Sequence, residues 1–96
     1  MRLRLLVIYT PLLDETRRFY DSLGLTFKPE QHGNGPEHYA AVMTDGTVFE
    51  LYPATSDRRT DSLRLAFTVD AASTSLNPGH RVLHDPGGRA VEVHVR

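Results

Sequence analysis

The feature that most constrains the fold is a single strong helix signal in a chain whose other regular patterns predict strands. Thr10 is a suitable N-cap, Pro11 fits the first helical turn, and Gly24 can adopt the left-handed conformation that ends a helix. Between them, over residues 12–25, one apolar face recurs at helical spacing: Leu12, Thr16, Phe19, Tyr20 and Leu23. Because almost all of the remaining pattern predicts strands, we expect one amphipathic helix packed on a sheet.

Composition narrows the class of protein further. A chain of 96 residues with 40% hydrophobic residues is expected to form one domain. The formal net charge of -1 provides no basic surface for nucleic acid. No apolar run is long enough to span a membrane. We therefore expect the protein to bind neither nucleic acid nor a membrane. The absence of cysteine excludes a disulfide framework and thiolate chemistry, and a cytoplasmic location is the default expectation.

The predicted strands fall into two similar halves, of which the second is shorter. Asp70–Leu76 could form a short helix with Asp70 as its cap, and Asn77-Pro78-Gly79 would end it. The order is therefore β-α-β-β-β, a polar linker, and β-(short α)-β-β. The strands are predicted at Leu3–Tyr9, Leu25–Lys28, His38–Met43, Thr47–Tyr52, Leu63–Val69, Arg81–His84 and Ala90–Val95.

A hairpin is predicted where Asp45-Gly46 separates two apolar runs. A two-residue loop would pair Met43 with Val48 and Ala41 with Glu50, and also Tyr39 with Tyr52. Because side chains alternate across a strand, Tyr39, Ala41 and Met43 would then share a face with Glu50.

Three strands carry one ionisable residue in the middle of a face: Glu50, Arg64 and Glu92. Two interpretations remain open from the pattern alone. The three side chains could converge in a cleft, or they could be solvent-facing polar residues on half-buried sheets.

Three segments resemble the vicinal-oxygen-chelate superfamily, which includes glyoxalases, bleomycin-resistance proteins and extradiol dioxygenases. The first, Leu12–Leu25, is similar to the family's first helix and its Phe-Tyr…Leu-Gly-Leu ending. The second is Thr47–Tyr52, with Glu50 near its centre. The third, Asp85–Val93, is similar to the family's Asp-Pro-x-Gly turn and final strand. With Leu65–Asp70, these segments span nearly the whole chain.

This resemblance implies an α+β fold with two βαβββ-like modules whose curled mixed sheets surround a cleft. Residues 1–53 would form the first module, 54–61 a linker, and 62–96 the shortened second module, all within one domain. Members of the family are commonly dimers, so we expect a homodimer.

Metal-dependent members of the family place four ligands at positions that correspond here to Leu5, Glu50, Arg64 and Glu92. Leu5 has no donor atom and Arg64 has no lone pair, so no metal is predicted at these four positions. We hypothesise that Arg64 replaces the metal by ion-pairing with one or both glutamates. A weaker alternative is a Zn, Ni or Mn site built from Glu50, Glu92 and His94.

The predicted function is a metal-free small-molecule binding protein of the glyoxalase/bleomycin-resistance type, with no catalytic residue assigned. Two alternatives remain open: a dimerising interaction module with a filled cleft, and a lyase, isomerase or dioxygenase of the same superfamily. His32, His38 and His80 are placed in or near loops. The expected ligand-binding cleft is lined by Leu5, Tyr39, Met43, Glu50, Tyr52, Arg64, Thr68, Glu92 and His94.

Overall fold

The computed structural model of the protein describes residues 1–96 and contains one α-helix, one 3₁₀ turn and seven strands. The helix α1 spans Leu13–Asp21, and the 3₁₀ turn spans Ala71–Ser73. The strands are β1 (Leu5–Thr10), β2 (Lys28–Glu30), β3 (His38–Val42), β4 (Val48–Pro53), β5 (Arg64–Val69), β6 (Gly79–His84) and β7 (Ala90–Val95).

The strands form two mixed sheets, as the element order predicts. The first sheet has the order β1-β4-β3-β2 and the second has the order β5-β7-β6. β1 pairs in parallel with β4, and β5 pairs in parallel with β7. The other strand pairs are antiparallel. The expected two-module α+β fold with a shortened second module is confirmed. No helix has the length and apolarity needed to cross a membrane.

Both sheets contribute one face to a common hydrophobic core. The alternation of β7 is clear, since Val91, Val93 and Val95 are buried while Glu92 and His94 point the other way. The face of each sheet that contributes to this core is its inner face, and the opposite face is its outer face. The core is formed by Ile8, Tyr20, Leu23, Phe27, Ala41, Phe49, Leu51, Val69, Val91, Val93 and Val95.

The helix begins later than predicted, and Thr10 is not its N-cap. The backbone carbonyl of Thr10 accepts a hydrogen bond from the Ala54 N–H, so Thr10 belongs to the sheet. The first helical bond is instead accepted by the carbonyl of Leu12 from Thr16. The Thr10 hydroxyl still accepts a bond from the Leu12 N–H at 3.1 Å and orders the entry to the helix.

The α-helix ends at Asp21, earlier than predicted, and a turn continues to Gly24, which adopts the expected positive φ, 107°. A Cβ atom at this position would lie only 2.9 Å from the Cβ of Ser73 in the 3₁₀ turn. Gly24 therefore allows the two modules to approach closely. The Asp70 cap is also confirmed, because its carboxylate accepts a bond from the Ala72 N–H at 2.9 Å.

The predicted hairpin register is wrong by one residue. The loop contains three residues, Thr44–Gly46, and Met43 accepts a bond from the Gly46 N–H at 2.9 Å. Gly46 adopts a φ of 90°, which suits a three-residue loop with a glycine in its last position. Ala40 therefore pairs with Glu50, and Ala41 pairs with Phe49. A shift of one residue moves every β3 side chain to the opposite face.

A buried polar cluster joins the two modules, and the sequence pattern indicated only a turn there. The Asp85 carboxylate accepts bonds from the Tyr20 hydroxyl at 2.8 Å and from Nη1 of Arg89 at 3.0 Å. It also accepts bonds from the backbone N–H groups of Gly87 and Arg89. Nη2 of Arg89 in turn donates to the Thr60 carbonyl in the linker at 2.7 Å. Burial and the Asp85 carboxylate both raise the pKa of Tyr20.

Candidate functional site

The outer faces of the two sheets carry most of the residues predicted to line the cleft. Leu5, Glu50 and Tyr52 lie on the outer face of the first sheet, where Leu5 pairs with Val48 and Val7 pairs with Glu50. The outer face of the second sheet presents a polar set: Arg64, Thr68, His80, Glu92 and His94.

The linker holds the second module beside the free edge of β1. The Thr60 N–H donates to the Tyr9 carbonyl at 3.0 Å, and the Tyr9 N–H donates to the Thr60 hydroxyl at 3.0 Å. Nη1 of Arg58 also donates to the Tyr9 hydroxyl at 3.4 Å. These contacts fix the start of the second module against the first sheet.

Tyr39 and Met43 do not lie on this outer surface, because the register of the hairpin differs from the predicted one. The Tyr39 hydroxyl donates to Asp14 of helix α1 at 2.9 Å, and the Arg17 guanidinium lies 5.0 Å from the Tyr39 ring centroid. Met43 lines an inner cavity of about 120 Å³ near Leu23 at the end of the helix. This volume is below the roughly 300 Å³ of the smallest common ligand pockets.

Arg64 pairs with one of the two glutamates. Its Nε lies 3.0 Å from Oε2 of Glu92, and no ion pair connects it to Glu50. The Arg64 side chain is 66% exposed and that of Glu92 is 28% exposed, so this is a surface ion pair. The hydrogen bond from Arg64 lowers the pKa of Glu92.

A shallow depression of about 620 Å³ lies beside Arg64, between the linker and the turn after β6. Its lining is mixed and includes Asp61, Leu63 and Gly88. The guanidinium of Arg64 is thus accessible from solvent at the end of the second sheet.

We expect Arg64→Ala to change the melting temperature by less than about 5 °C, because exposed ion pairs contribute little. The pKa of Glu92 should return toward its ordinary value of 4.5. Because that pKa is lowered in the folded state, the contribution of the pair is present above pH 4.5 and is lost as the pH falls. Carboxyl NMR shifts of Glu92 across a pH titration measure this change. A large loss of stability would show that Arg64 is a structural residue.

The four positions that bind metal in the family do not fit a metal ion here. Leu5 offers only a hydrocarbon side chain, and the Arg64 guanidinium brings a positive charge and no lone pair. Glu50 and Glu92 have separate partners, His38 for the first and Arg64 with His80 for the second. Nor do Glu50, Glu92 and His94 converge on a common point.

Potential metal ligands converge at a different place, which the sequence reasoning missed. Glu30, His32, His38 and Glu50 each offer one ligand atom, and these atoms all lie within 4.8 Å of one another. The wrong hairpin register concealed this group, since it placed Tyr39 instead of His38 on the face of Glu50. The correct three-residue loop would have indicated that His38 and Glu50 share a face.

Structural comparison places the fold among known proteins. No family model and no curated protein matches the sequence. A structure search does find similar folds, including TnmS3, an antibiotic binding protein from Streptomyces sp. CB03234. The two share 16% identity at a TM-score of 0.67, over 99% of this chain and 95% of that one. A possible glyoxalase from Bacillus cereus matches with 17% identity and a TM-score of 0.65, over 98% of each chain.

The chain has the fold of the glyoxalase and bleomycin-resistance proteins. The oxidase ChaP-H2 also has a similar fold, with 15% identity and a TM-score of 0.68 over 100% of this chain and 94% of that one. Proteins with different activities therefore share the glyoxalase-like fold, and the fold alone does not determine the function.

Proposed function

We propose that this protein binds a small molecule on the outer faces of its two sheets, without a metal at the four family positions. The ligand is an apolar or aromatic compound that carries a few hydrogen-bonding groups. The observation that carries the proposal is the contrast between the two faces. The inner faces form the core, whereas the outer faces leave apolar side chains in contact with solvent.

The first sheet supplies the apolar part of this surface. Leu5 is 52% exposed and Val42 is 70% exposed on its outer face. The rings of Tyr9 and Tyr52 lie on the same face, four residues farther along β1 and β4, with centroids 5.7 Å apart. Exposed aliphatic and aromatic side chains grouped on one face are characteristic of binding surfaces.

The second sheet supplies polar groups that can orient a ligand. Arg64 offers donors, Glu92 offers acceptors, and the Thr68 hydroxyl can do either. A mainly apolar lining with a few polar groups is typical of small-molecule sites. The structural likeness to an antibiotic binding protein supports the same class of ligand.

A panel of polycyclic aromatic antibiotics, together with bleomycin, tests this proposal by thermal shift. We expect at least one compound to raise the melting temperature. A compound present at about a hundred times its Kd stabilises the folded state by about 2.7 kcal/mol, or roughly 10–20 °C for a domain of this size.

Leu5→Glu places a charge on the apolar surface and should weaken binding of that compound at least tenfold. Leu12→Glu is the matched control, because Leu12 is 38% exposed but lies just before helix α1 and not on the outer face of a sheet. Binding should be unchanged in this control. If no compound shifts the melting temperature, or if both variants weaken binding equally, the proposal is wrong.

A further inference from the structure

The only converging group of metal-ligating side chains lies on the first sheet, away from the family's four-strand position. Glu30 is at the end of β2, His32 is in the following loop, His38 begins β3, and Glu50 is in β4. Only Glu50 is shared with the positions that the family resemblance assigns. The other three ligand candidates come from segments that contribute none of those positions.

His38 is the central member and has a buried nitrogen without a partner. Its side chain is 1% exposed, and its Nε2 makes no hydrogen bond. Nδ1 lies 3.2 Å from the Pro36 carbonyl, which can only accept, so Nδ1 carries the proton of the neutral ring. The lone pair of Nε2 then points into the cluster. Such a second contact fixes the tautomer of metal-binding histidines in proteins.

The neighbours of Nε2 are two carboxylates. Oε1 of Glu30 lies 3.4 Å away and Oε2 of Glu50 lies 3.5 Å away. The lone pair of a buried ring that faces two carboxylates is electrostatically unfavourable, and a cation between them would remove this repulsion. Tyr52 stacks on the His38 ring at 4.1 Å between centroids and holds it in this orientation.

Three of the six distances between the ligand atoms fit coordination of one ion, and all six are within 4.8 Å. Two ligands of a tetrahedral zinc ion with bonds of about 2.0–2.1 Å lie roughly 3.3–3.4 Å apart. The two contacts of His38 Nε2 are close to this value, and Nε2 of His32 lies 3.4 Å from Oε1 of Glu30. These separations are longer than ordinary hydrogen bonds.

We propose that Glu30, His32, His38 and Glu50 bind a divalent transition-metal ion of the zinc class. Two imidazoles and two carboxylates match the ligand preference of Zn²⁺, and they also accept Co²⁺ or Ni²⁺. This proposal does not depend on the proposed small-molecule function, because none of its four ligand residues is used there. Only Tyr52, which stacks on His38, is common to both.

The ion would connect the loop after β2 to the sheet. His32 is 73% exposed and lies in that loop, whereas His38 and Glu50 are held in adjacent strands. Four protein ligands leave no open position, which is typical of a structural metal site. Binding should therefore order residues 31–37 against the outer face of the first sheet.

The experiment uses the full chain without an affinity tag, treated with a chelator and dialysed. Zn²⁺ alone is titrated by calorimetry, and Co²⁺ alone is followed by its visible absorption. We expect one ion per chain, an intense tetrahedral Co²⁺ spectrum and a higher melting temperature with Zn²⁺. If no ion binds, the proposal is wrong.

The variants locate the ion without altering a fully buried residue. Glu30→Gln combined with His32→Ala should raise the Kd for Zn²⁺ at least tenfold and remove the tetrahedral Co²⁺ spectrum. His80→Ala is the matched control, since His80 is 62% exposed and its Nε2 lies 3.8 Å from Glu92 on the second sheet. Its Kd should equal that of the wild type. Unchanged binding in the double variant, or a loss in His80→Ala, would contradict the proposed site.

Discussion

Asp85→Ala is expected to lower the free energy of unfolding by about 3–5 kcal/mol, because it leaves the Arg89 guanidinium buried without a counter-charge. The side chains of Asp85 and Arg89 are 0% and 2% exposed. The Tyr20 hydroxyl and two backbone N–H groups lose their acceptor at the same time. A domain of this size has about 5–15 kcal/mol of stability in total, so part of the population should be unfolded at 37 °C.

Chemical denaturation followed by circular dichroism measures this loss. Asp61→Ala is the matched control, because Asp61 also pairs with an arginine, Arg59, at 2.7 Å but is 72% exposed. It should cost less than about 1 kcal/mol. The double variant Asp85→Leu with Arg89→Met should recover part of the loss, since it removes the unpaired charge. Equal effects of Asp85→Ala and Asp61→Ala would show that the cluster does not stabilise the fold.

Phe49→Ala is expected to lower the free energy of unfolding by a similar amount, about 3–5 kcal/mol. Phe49 is 0% exposed and contacts aromatic rings from three directions. Its ring centroid lies 5.0 Å from that of Tyr20, 5.4 Å from Phe27 and 6.2 Å from Phe67. Because Phe67 belongs to the second sheet, the cavity would weaken the contact between the modules.

Thermal unfolding measures the effect, with an expected decrease of roughly 12 °C or more. Val42→Ala is the control, because Val42 is 70% exposed on the outer face and its truncation should change the free energy of unfolding by less than about 0.5 kcal/mol. If Phe49→Ala changes the melting temperature by only a few degrees, the two modules do not share one cooperative core.

Much of the fold could be predicted from local patterns. The alternation of Val91, Val93 and Val95 with Glu92 and His94 places each side chain on its observed face. The positive φ of Gly24 after the helix and the Asp70 cap also follow from local backbone chemistry. The outer-face positions of Glu50, Arg64 and Glu92 follow from the same alternation.

The candidate site was less predictable, because a single residue in a turn controls a whole strand face. Whether the loop before Thr47 has two or three residues depends on the hydrogen bond from Gly46 to Met43. A two-residue loop would place Tyr39 on the face of Glu50, whereas the observed three-residue loop places His38 there. The proposed metal site could therefore not be predicted from the expected register.

The sequence by itself determined the order of elements, the apolar faces and the absence of metal ligands at Leu5 and Arg64. These properties are local, since they depend on side-chain chemistry and on periods of two or 3.6 residues. Only the tertiary structure decided that Asp85 binds Tyr20 and Arg89, and that Glu30, His32, His38 and Glu50 meet. Each of these contacts depends on strand register or on how the two modules pack, and both are set by the whole core.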